Sequence, residues 1–191
     1  MKQGTLILVI GPTGSGKGTL LEEVRKNIPD LVFPVSCTTR VMRPGEVEGQ
    51  TYYFVSRDEF ETRRERGEFL EWAEYGHNLY GTLRSEILPA VEEGKTVIRE
   101  IEVQGARQIQ QILSRDLLRI IYVDAGSWED LERRIMLRAP IGAPELEARR
   151  KRYEDETSFK AQADIVVENR DGELEDAKRQ FEDAVRTIMK R

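Results

Sequence analysis

The sequence predicts an α/β fold with a parallel sheet flanked by helices, and three features of the chain support this. An apolar, β-branched stretch at residues 5–10 runs directly into a glycine-rich turn and then into an amphipathic helical pattern. Further short apolar stretches alternate with helical patterns, as in parallel sheets with crossover helices. The chain has 191 residues, 39% hydrophobic and 34% charged, which is enough for one such domain and a small inserted lobe.

The strands and helices of this fold follow in chain order. The apolar runs predict strands at Leu6–Ile10, Val32–Val35, Thr96–Ile101, Leu118–Val123 and Asp164–Glu168. The helical periodicity predicts helices at Lys17–Asn27, Arg57–Arg66, Ser85–Glu93, Gln104–Leu113, Trp128–Leu137, Glu145–Phe159 and Glu173–Met189. Ser127 and Asp171 precede two of these helices and are predicted to cap them.

The segment from Ser36 to about Gly94 breaks the alternation. It holds a loop rich in arginine, proline and glycine, a short tyrosine-rich strand at Thr51–Val55, and the apolar run Phe69–Tyr75. We therefore expect residues 36–94 to form an inserted α+β lobe, and residues 1–35 and 95–191 to form the main domain. Two prolines and a glycine within Arg138–Pro144 predict a flap in a helical lid at about residues 134–150.

The glycine-rich turn has the spacing of a phosphate-binding loop. Gly11-x4-Gly16-Lys17 fits the Walker A pattern, except that Gly18 stands where Ser or Thr normally contacts magnesium. Glycines let backbone N–H groups converge on phosphate oxygens, and the helix that follows adds its positive N-terminal end. The alternative is a strand-to-helix turn without a ligand. The sequence favours nucleotide binding, with the phosphates of ATP held by Gly11, Pro12, Thr13, Gly14, Ser15, Gly16, Lys17, Gly18 and Thr19.

Charge and cysteine usage argue against several other classes of protein. The net charge of −5 lacks the basic footprint of a nucleic-acid-binding protein, so no nucleic-acid partner is expected. No apolar run approaches the ~20 residues that span a bilayer, so no membrane partner is expected. A single cysteine, Cys37, allows no intramolecular disulfide and favours a cytoplasmic location. The sequence leaves open whether the chain is a monomer or a homodimer.

A second informative stretch lies between Ser36 and Phe54. Arg40 and Arg43 stand in a loop bounded by Pro-Gly, and Tyr52 follows on a predicted strand. Two guanidinium groups and a phenol suit a terminal phosphate, because they donate charge-assisted hydrogen bonds to its oxygens. Taken alone, the stretch could equally be surface arginines paired with the many acidic residues.

This stretch resembles the signature of the guanylate kinases, Thr-Thr-Arg-x-x-Arg-x-Gly-Glu-x-x-Gly-x-x-Tyr-x-Phe, at every fixed position from Thr38 to Phe54. The likeness continues through Glu68–Ala73, Tyr80–Thr82, Val103–Ala106 and Asn169, so it covers essentially the whole chain. Several motifs in the same order make the resemblance more specific than any one of them. It implies a P-loop NTPase-type sheet with an inserted monophosphate-binding lobe and a helical lid.

The resemblance implies two groups of contacts to GMP. The phosphate would be held by Arg40, Arg43, Tyr52 and Tyr80. The guanine edge would be read by Ser36, Glu71, Thr82 and Glu102, and the GMP-binding set also includes Glu46 and Glu100. A carboxylate such as that of Glu71 accepts from both the ring N–H and the exocyclic amine of guanine, a donor pair that adenine lacks. Glu102 departs by one methylene from the aspartate usual in the family.

The resemblance also implies catalytic and ATP-binding residues elsewhere. The transferring phosphoryl group would be stabilised by Lys17, Arg40, Arg134, Arg138 and Arg149, of which the last three match lid arginines. Asn169 joins the ATP-binding set. Glu100 ends a predicted strand and would hold Mg²⁺, the expected cofactor with ATP, directly or through water. The lid departs from the family, which usually has Arg-Gly-Thr and acidic residues where this chain has Arg138–Pro144.

The predicted reaction is ATP + GMP → ADP + GDP, with dGMP as a further expected acceptor. The attacking phosphate oxygen is already anionic near neutral pH, so no general base is expected. We expect the lobe and the lid to close over the two substrates, which aligns them and excludes water.

Two other functions stay open at this stage. Guanylate-kinase-like domains of scaffold proteins bind peptides instead of GMP, but they typically have a degraded P-loop, whereas Lys17 and its glycines are intact here. Phosphorylation of another acceptor, such as a sugar phosphate, is opposed by the presence of Arg40, Arg43 and Tyr52. Binding of ATP and GMP, and the choice of acceptor, separate these alternatives.

Overall fold

A computed structural model describes residues 3–138 and 140–190 of the chain, with the backbone alone of Arg138. Contacts divide them into two units, one of residues 3–6, 32–99 and 104–118, and one of residues 7–31, 100–103 and 119–190. The lobe and domain boundaries that the sequence suggests, after residues 35 and 94, stay predictions. The predicted flap includes Ala139, which lies outside the described residues, as does the side chain of the predicted lid residue Arg138.

The strands and helices of the described residues agree with most of those predicted. The strands are β1 (Thr5–Ile10), β2 (Ser36–Thr38), β3 (Tyr52–Phe54), β4 (Phe69–Tyr75), β5 (Asn78–Leu83), β6 (Thr96–Glu100), β7 (Leu118–Asp124) and β8 (Ile165–Glu168). The α-helices are α1 (Lys17–Asn27), α2 (Arg57–Glu65), α3 (Arg84–Glu92), α4 (Val103–Ile112), α5 (Trp128–Arg138), α6 (Ala143–Ser158) and α7 (Leu174–Met189).

The main sheet is parallel and has the strand order β6-β1-β7-β8. All side chains from Leu6 to Ile10 of β1 are at most 1% exposed. A parallel sheet covered by helices on both faces requires such a continuous apolar run, because neither face of the strand meets water. The fold class predicted from the sequence is therefore confirmed.

The predicted strand Val32–Val35 is wrong, and the strand of this region begins later, at Ser36. Only Val32 pairs with the main sheet, through a single bridge to Val97. Pro34 has no N–H to donate to a ladder. The N–H of Val35 donates instead to the carboxylate of Glu86 at 3.0 Å. An apolar run interrupted by proline thus connects the main sheet to β2.

A second sheet has the order β3-β2-β5-β4. Its strands β2 and β3 are parallel, whereas β5 runs antiparallel to both β2 and β4. A β-bulge between Phe69 and Glu71 shifts the register of β4 against β5. The hairpin of β4 and β5 turns through Gly76 and His77, which have φ values of 55° and 66°. Positive φ at both turn positions is the geometry that two-residue hairpin loops favour.

Several helix ends differ from prediction. Asp171 does not cap α7, whose N-cap is Glu173. The carboxylate of Asp171 binds Arg133 and Arg134 instead. Helix α6 begins at Ala143, two residues before the predicted start, because Pro144 is well suited to a first helical turn. Ser127 caps α5 as predicted, accepting from the N–H of Asp130 at 3.3 Å.

The last helix shows how an amphipathic pattern closes the core. Its buried side chains recur three or four positions apart, at Ala177, Phe181, Ala184, Val185 and Ile188. The side-chain amide of Asn27, at the end of helix α1, donates to the carboxylate of Glu182 in α7 at 2.8 Å. Within the described residues, no helix has the length and apolarity that a membrane crossing requires.

Candidate active site

The glycine-rich loop joins β1 to α1 and is shaped by close backbone approaches. Gly16 has φ 91° at the N-cap of α1, a conformation that side chains disfavour. A Cβ on Gly11 would stand 2.4 Å from the carbonyl oxygen of Val123 in β7, so only glycine fits there. The loop therefore presents backbone N–H groups at the positive end of a helix, which is a ready-made anion site.

The ammonium group of Lys17 lies against this loop. Its Nζ donates to the carbonyl oxygens of Gly11 at 2.6 Å and Pro12 at 3.1 Å. The same atom is 3.6 Å from Oε1 of Glu100, and the lysine is 9% exposed. A positive charge is thus held where the sequence predicts phosphate oxygens. Lys17 and Glu100, predicted as partners in one site, lie together.

Asn169 follows strand β8 and forms a hydrogen bond with the backbone of the glycine-rich loop. Its side chain is 5% exposed and its Nδ2 donates to the carbonyl oxygen of Ser15 at 2.7 Å. The backbone N–H of Asn169 donates to the carbonyl of Asp124 at 2.8 Å, which ties the contact to the end of β7. The structure therefore assigns Asn169 a part in holding the loop, and its direct contact with ATP stays a prediction.

Glu156 is a buried acid that the sequence analysis did not single out. It is 9% exposed, and burial raises its pKa from 4.5 to about 7. Lys17 and Arg152 act in the opposite direction, and Glu102 and Asp155 raise the pKa further. The acid lines a small pocket with Thr13, Trp128, Leu131, Ile135, Arg149 and Arg152.

The periodicity of helix α6 could have indicated that Glu156 lies near the predicted residue Arg149. Arg152 and Glu156 follow Arg149 by three and seven positions, so all three share one face of α6. Only Arg149 was predicted, because it matched a motif. The pocket places it beside Thr13 of the loop, and its Nη2 donates to Glu145 at 2.7 Å.

The other two predicted lid arginines are Arg134, whose side chain the structure describes, and Arg138, of which it describes the backbone alone. Arg134 is 19% exposed and its Nε binds the carboxylate of Asp171. Arg133, which was not predicted, binds the same carboxylate, and both arginines lower the pKa of Asp171. The side chain of Arg138 lies outside the described residues. The phosphate contacts of these arginines stay predictions.

A divalent metal has one obvious candidate ligand near the loop. In the described part of the chain, no group of three or more His, Cys, Asp and Glu side chains could hold a metal ion. Mg²⁺ commonly binds through one or two carboxylates together with substrate phosphates and waters. The carboxylate of Glu100, 46% exposed beside Lys17, fits that mode. Glu102 is exposed, and its predicted contact with guanine stays a prediction.

Four predicted GMP-binding residues form one row across the second sheet. Tyr52 of β3 pairs with Ser36 of β2, Ser36 pairs with Thr82 of β5, and Thr82 pairs with Glu71 of β4. Residues paired in this way project from the same face of a sheet. This register row (Tyr52, Ser36, Thr82 and Glu71) gathers side chains that lie up to 46 positions apart in the sequence.

Three members of the register row, Ser36, Glu71 and Thr82, are buried polar groups. The Oγ1 of Thr82 donates to Oε1 of Glu71 at 2.5 Å, and Glu71 is only 6% exposed. Ser36 is 2% exposed, and its hydroxyl has no hydrogen-bond partner among the described residues. A buried hydroxyl without a partner is rare in native structures and points to a ligand.

Arg40 stands at one end of this face. Its guanidinium donates to both carboxylate oxygens of Glu46, at 3.0 and 2.7 Å. These hydrogen bonds raise the pKa of Arg40 and lower that of Glu46. The Cζ of Arg40 is 5.5 Å from the ring centroid of Tyr52, which lies 6.0 Å from the ring of Tyr80. Arg43 is exposed and its backbone N–H donates to Glu46 at 2.7 Å.

The loop, its lysine and the parallel sheet together define a P-loop phosphate-binding protein. The particular family follows from a direct comparison, in which the family model described as Guanylate kinase matches residues 3–188. This chain belongs to the guanylate kinase family. The resemblance inferred from the sequence motifs is thereby confirmed.

Individual relatives support the assignment over most of their length. The chain is 49% identical over 139 residues to the guanylate kinase of Synechococcus elongatus, covering 73% of this chain and 75% of the relative. It is 41% identical over 175 residues to the guanylate kinase of Thermotoga maritima, covering 92% and 83%. A crystal structure of guanylate kinase from Anaplasma phagocytophilum matches with a TM-score of 0.75 and 29% identity, covering 100% and 89%.

Proposed function

We propose that this chain transfers the γ-phosphate of ATP to GMP, giving ADP and GDP, and that it accepts dGMP as well. Membership of the guanylate kinase family carries the reaction class. The single structural observation that supports GMP as acceptor is the register row, which ends in the buried carboxylate of Glu71 and includes the unpartnered hydroxyl of Ser36.

ATP binds at the glycine-rich loop in this proposal. Backbone N–H groups and the N-terminus of α1 hold its phosphates, and Lys17 shifts from loop carbonyls to phosphate oxygens. Mg²⁺, held by Glu100 directly or through water, neutralises phosphate charge when it is bound. Arg134, Arg138 and Arg149 add positive charge to the transferring phosphoryl group.

GMP binds on the face of the second sheet. Glu71 accepts from N1–H and the exocyclic amine of guanine, while Thr82 keeps the carboxylate oriented. Ser36 supplies a hydroxyl to the base. Adenine has no matching pair of donors, so AMP would not make the two hydrogen bonds that guanine donates to the buried carboxylate of Glu71, which is the basis for rejecting AMP.

The monophosphate binds to Arg40, Arg43, Tyr52 and Tyr80. A guanidinium has five N–H donors, so Arg40 holds Glu46 and a phosphate together. Glu46 therefore belongs to the site as a positioning residue for Arg40. The attacking phosphate oxygen is anionic near neutral pH, so the chain aligns and neutralises two anions without removing a proton.

The domain division belongs to the same proposal. Residues 36–94 bind GMP, residues 1–35 and 95–191 bind ATP, and residues 134–150 form the lid. We place the enzyme in the cytoplasm as a monomer or homodimer, with ATP and GMP as its partners, without nucleic acid or membrane. Its single cysteine suits a reducing compartment.

An acceptor panel tests the proposal. ADP release is measured with GMP, dGMP, AMP and UMP for the wild type, for Glu71→Gln and for Glu74→Gln. Glu74 lies on the same strand, but its side chain is 51% exposed and paired with Arg57, so its variant is the matched control. The wild type and Glu74→Gln should favour GMP, and Glu71→Gln should lose about 10²-fold or more of this preference while still binding ATP.

Three outcomes would overturn the proposal or part of it. Preference of the wild type for AMP or UMP would remove guanine recognition. Unchanged selectivity in Glu71→Gln would show that Glu71 does not read the base. Calorimetry that finds neither ATP nor GMP binding would favour a non-catalytic interaction module.

A further inference from the structure

Strand β4, which carries Glu71, is an edge strand of the second sheet, and a glutamine side chain forms two hydrogen bonds with the backbone of one of its residues. The N–H of Trp72 donates to Oε1 of Gln108 at 3.1 Å. The Nε2 of the same Gln108 donates to the carbonyl oxygen of Trp72 at 2.8 Å. Gln108 is half-buried on helix α4, in the same structural unit as β4.

This pair of hydrogen bonds imitates a strand neighbour at one residue. A carboxamide has one acceptor oxygen and one N–H donor side by side, as a peptide group has. On an edge strand the outward N–H and C=O groups normally face water or another chain. Gln108 instead closes both groups of a single residue, and this restricts rotation of the peptide units on either side of Trp72.

One of these two peptide units joins Glu71 to Trp72. The β-bulge between Phe69 and Glu71 interrupts the ladder just before Glu71, and bulged strands bend at that point. After the bulge, the register places Glu71 opposite Thr82, within the row that ends the proposed guanine site. The position of the carboxylate thus depends on what holds β4 between the bulge and its free edge.

We propose that Gln108 is a positioning residue for guanine recognition: its two hydrogen bonds to Trp72 hold the backbone of β4 so that the Glu71 carboxylate meets the base. The proposal rests on the proposed function of Glu71. Gln108 itself does not touch the substrate. Accepting from two guanine donors at once demands close alignment, so a small shift of the backbone weakens the second hydrogen bond first.

Kinetics of Gln108→Leu and Gln111→Leu test this. The first variant removes both hydrogen bonds to Trp72, and the second makes the same change at an exposed position of α4. The acceptors are GMP and IMP, which keeps N1–H but lacks the exocyclic amine. For Gln108→Leu we expect KM for GMP to rise about tenfold and the GMP:IMP ratio of kcat/KM to fall about fivefold. KM for ATP should stay within about twofold, and Gln111→Leu should match the wild type on every parameter.

A second variant keeps the test decisive if Gln108→Leu does not fold. Ionised, the side chain of Gln108→Glu accepts from the N–H of Trp72 but cannot donate to its carbonyl; protonated, it does both. Compared with wild type at the same pH, its GMP:IMP ratio should be lowered at pH 8 and restored towards pH 5. A purely structural role would lower the melting temperature without moving this ratio.

The outcomes separate the two proposals. If the wild type shows no preference for GMP, the proposed function fails whatever Gln108 does. If the wild type prefers GMP but the Gln108 variants keep its KM for GMP and its GMP:IMP ratio, the role of Gln108 is overturned while the proposed function stands.

Discussion

The buried carboxyl of Glu156 makes the stability of this protein depend on pH in a way that a single substitution should remove. Glu156 lies on α6, is 9% exposed, and has its pKa raised from 4.5 to about 7, mainly by burial. Replacement by glutamine keeps the shape of the side chain but removes its ionisation. Glu154→Gln changes an exposed position of the same helix and serves as the control.

The sign and size of the effect follow from the two pKa values. Because the pKa is higher in the folded state, the folded protein binds more protons between about pH 4.5 and 7, and stability falls as the pH rises through this range. The contribution is fully present below pH 4.5 and is lost above about pH 7. One pKa unit corresponds to about 1.4 kcal/mol, so the full difference is about 3 kcal/mol.

Urea unfolding of the three ligand-free proteins between pH 4.5 and 8.5 measures this. At the acidic end, Glu156→Gln and the wild type should have similar free energies of unfolding. Above pH 7, the variant should be more stable than the wild type by about 2–3 kcal/mol, because it buries no charge. Glu154→Gln controls for the removal of a carboxyl from the exposed side of the same helix. A pH-independent difference between Glu156→Gln and the wild type would refute the reasoning, since the pKa of Glu156 would then be the same in the folded and unfolded states.

Two further predictions concern Gly16 and Cys37. Gly16→Ala forces φ 91° on a residue with a side chain and sets its Cβ 2.3 Å from Nδ2 of Asn169. We expect a loss of about 2–3 kcal/mol in the free energy of unfolding and weaker ATP binding. Gly18→Ala is the control, since no neighbouring atom lies within 4 Å of its added Cβ, and its free energy of unfolding should equal or slightly exceed that of the wild type. If urea unfolding showed the same loss of stability in Gly16→Ala and Gly18→Ala, this prediction would be wrong. Cys37 is fully buried with its pKa raised to about 11, so a thiol reagent at pH 8 should label it only after denaturant is added; rapid labelling of native protein would contradict this.

The parts of the fold that the sequence predicted correctly depend on local signals. β1, the glycine loop and α1 follow each other within the first 27 residues, and helix α1 has the predicted bounds. Periodicity and caps carry that information without any distant partner. Strand β2 was missed because Ser36–Thr38 is short and polar, and it becomes a strand only between β3 and β5.

The residues of the candidate site also fall into those that local sequence predicted and those that only the structure revealed. Motif order was enough to predict Lys17, Arg40 and Glu71 as site residues, since each lies within a short motif of contiguous residues. The same motifs said nothing of Gln108 or Glu156. A side chain acquires such roles from the strand edge or buried pocket that it meets, and the residues forming these are remote in sequence.

By itself, then, the order of residues determined the parallel α/β class, the phosphate loop and the family, because these are encoded in contiguous spacing. Tertiary structure alone decided that Tyr52, Ser36, Thr82 and Glu71 share one row, that Asn169 braces the loop through Ser15, and that Glu156 has a raised pKa. Strand register, the edge of a sheet and desolvation all depend on contacts between segments far apart in the chain, which no local pattern specifies.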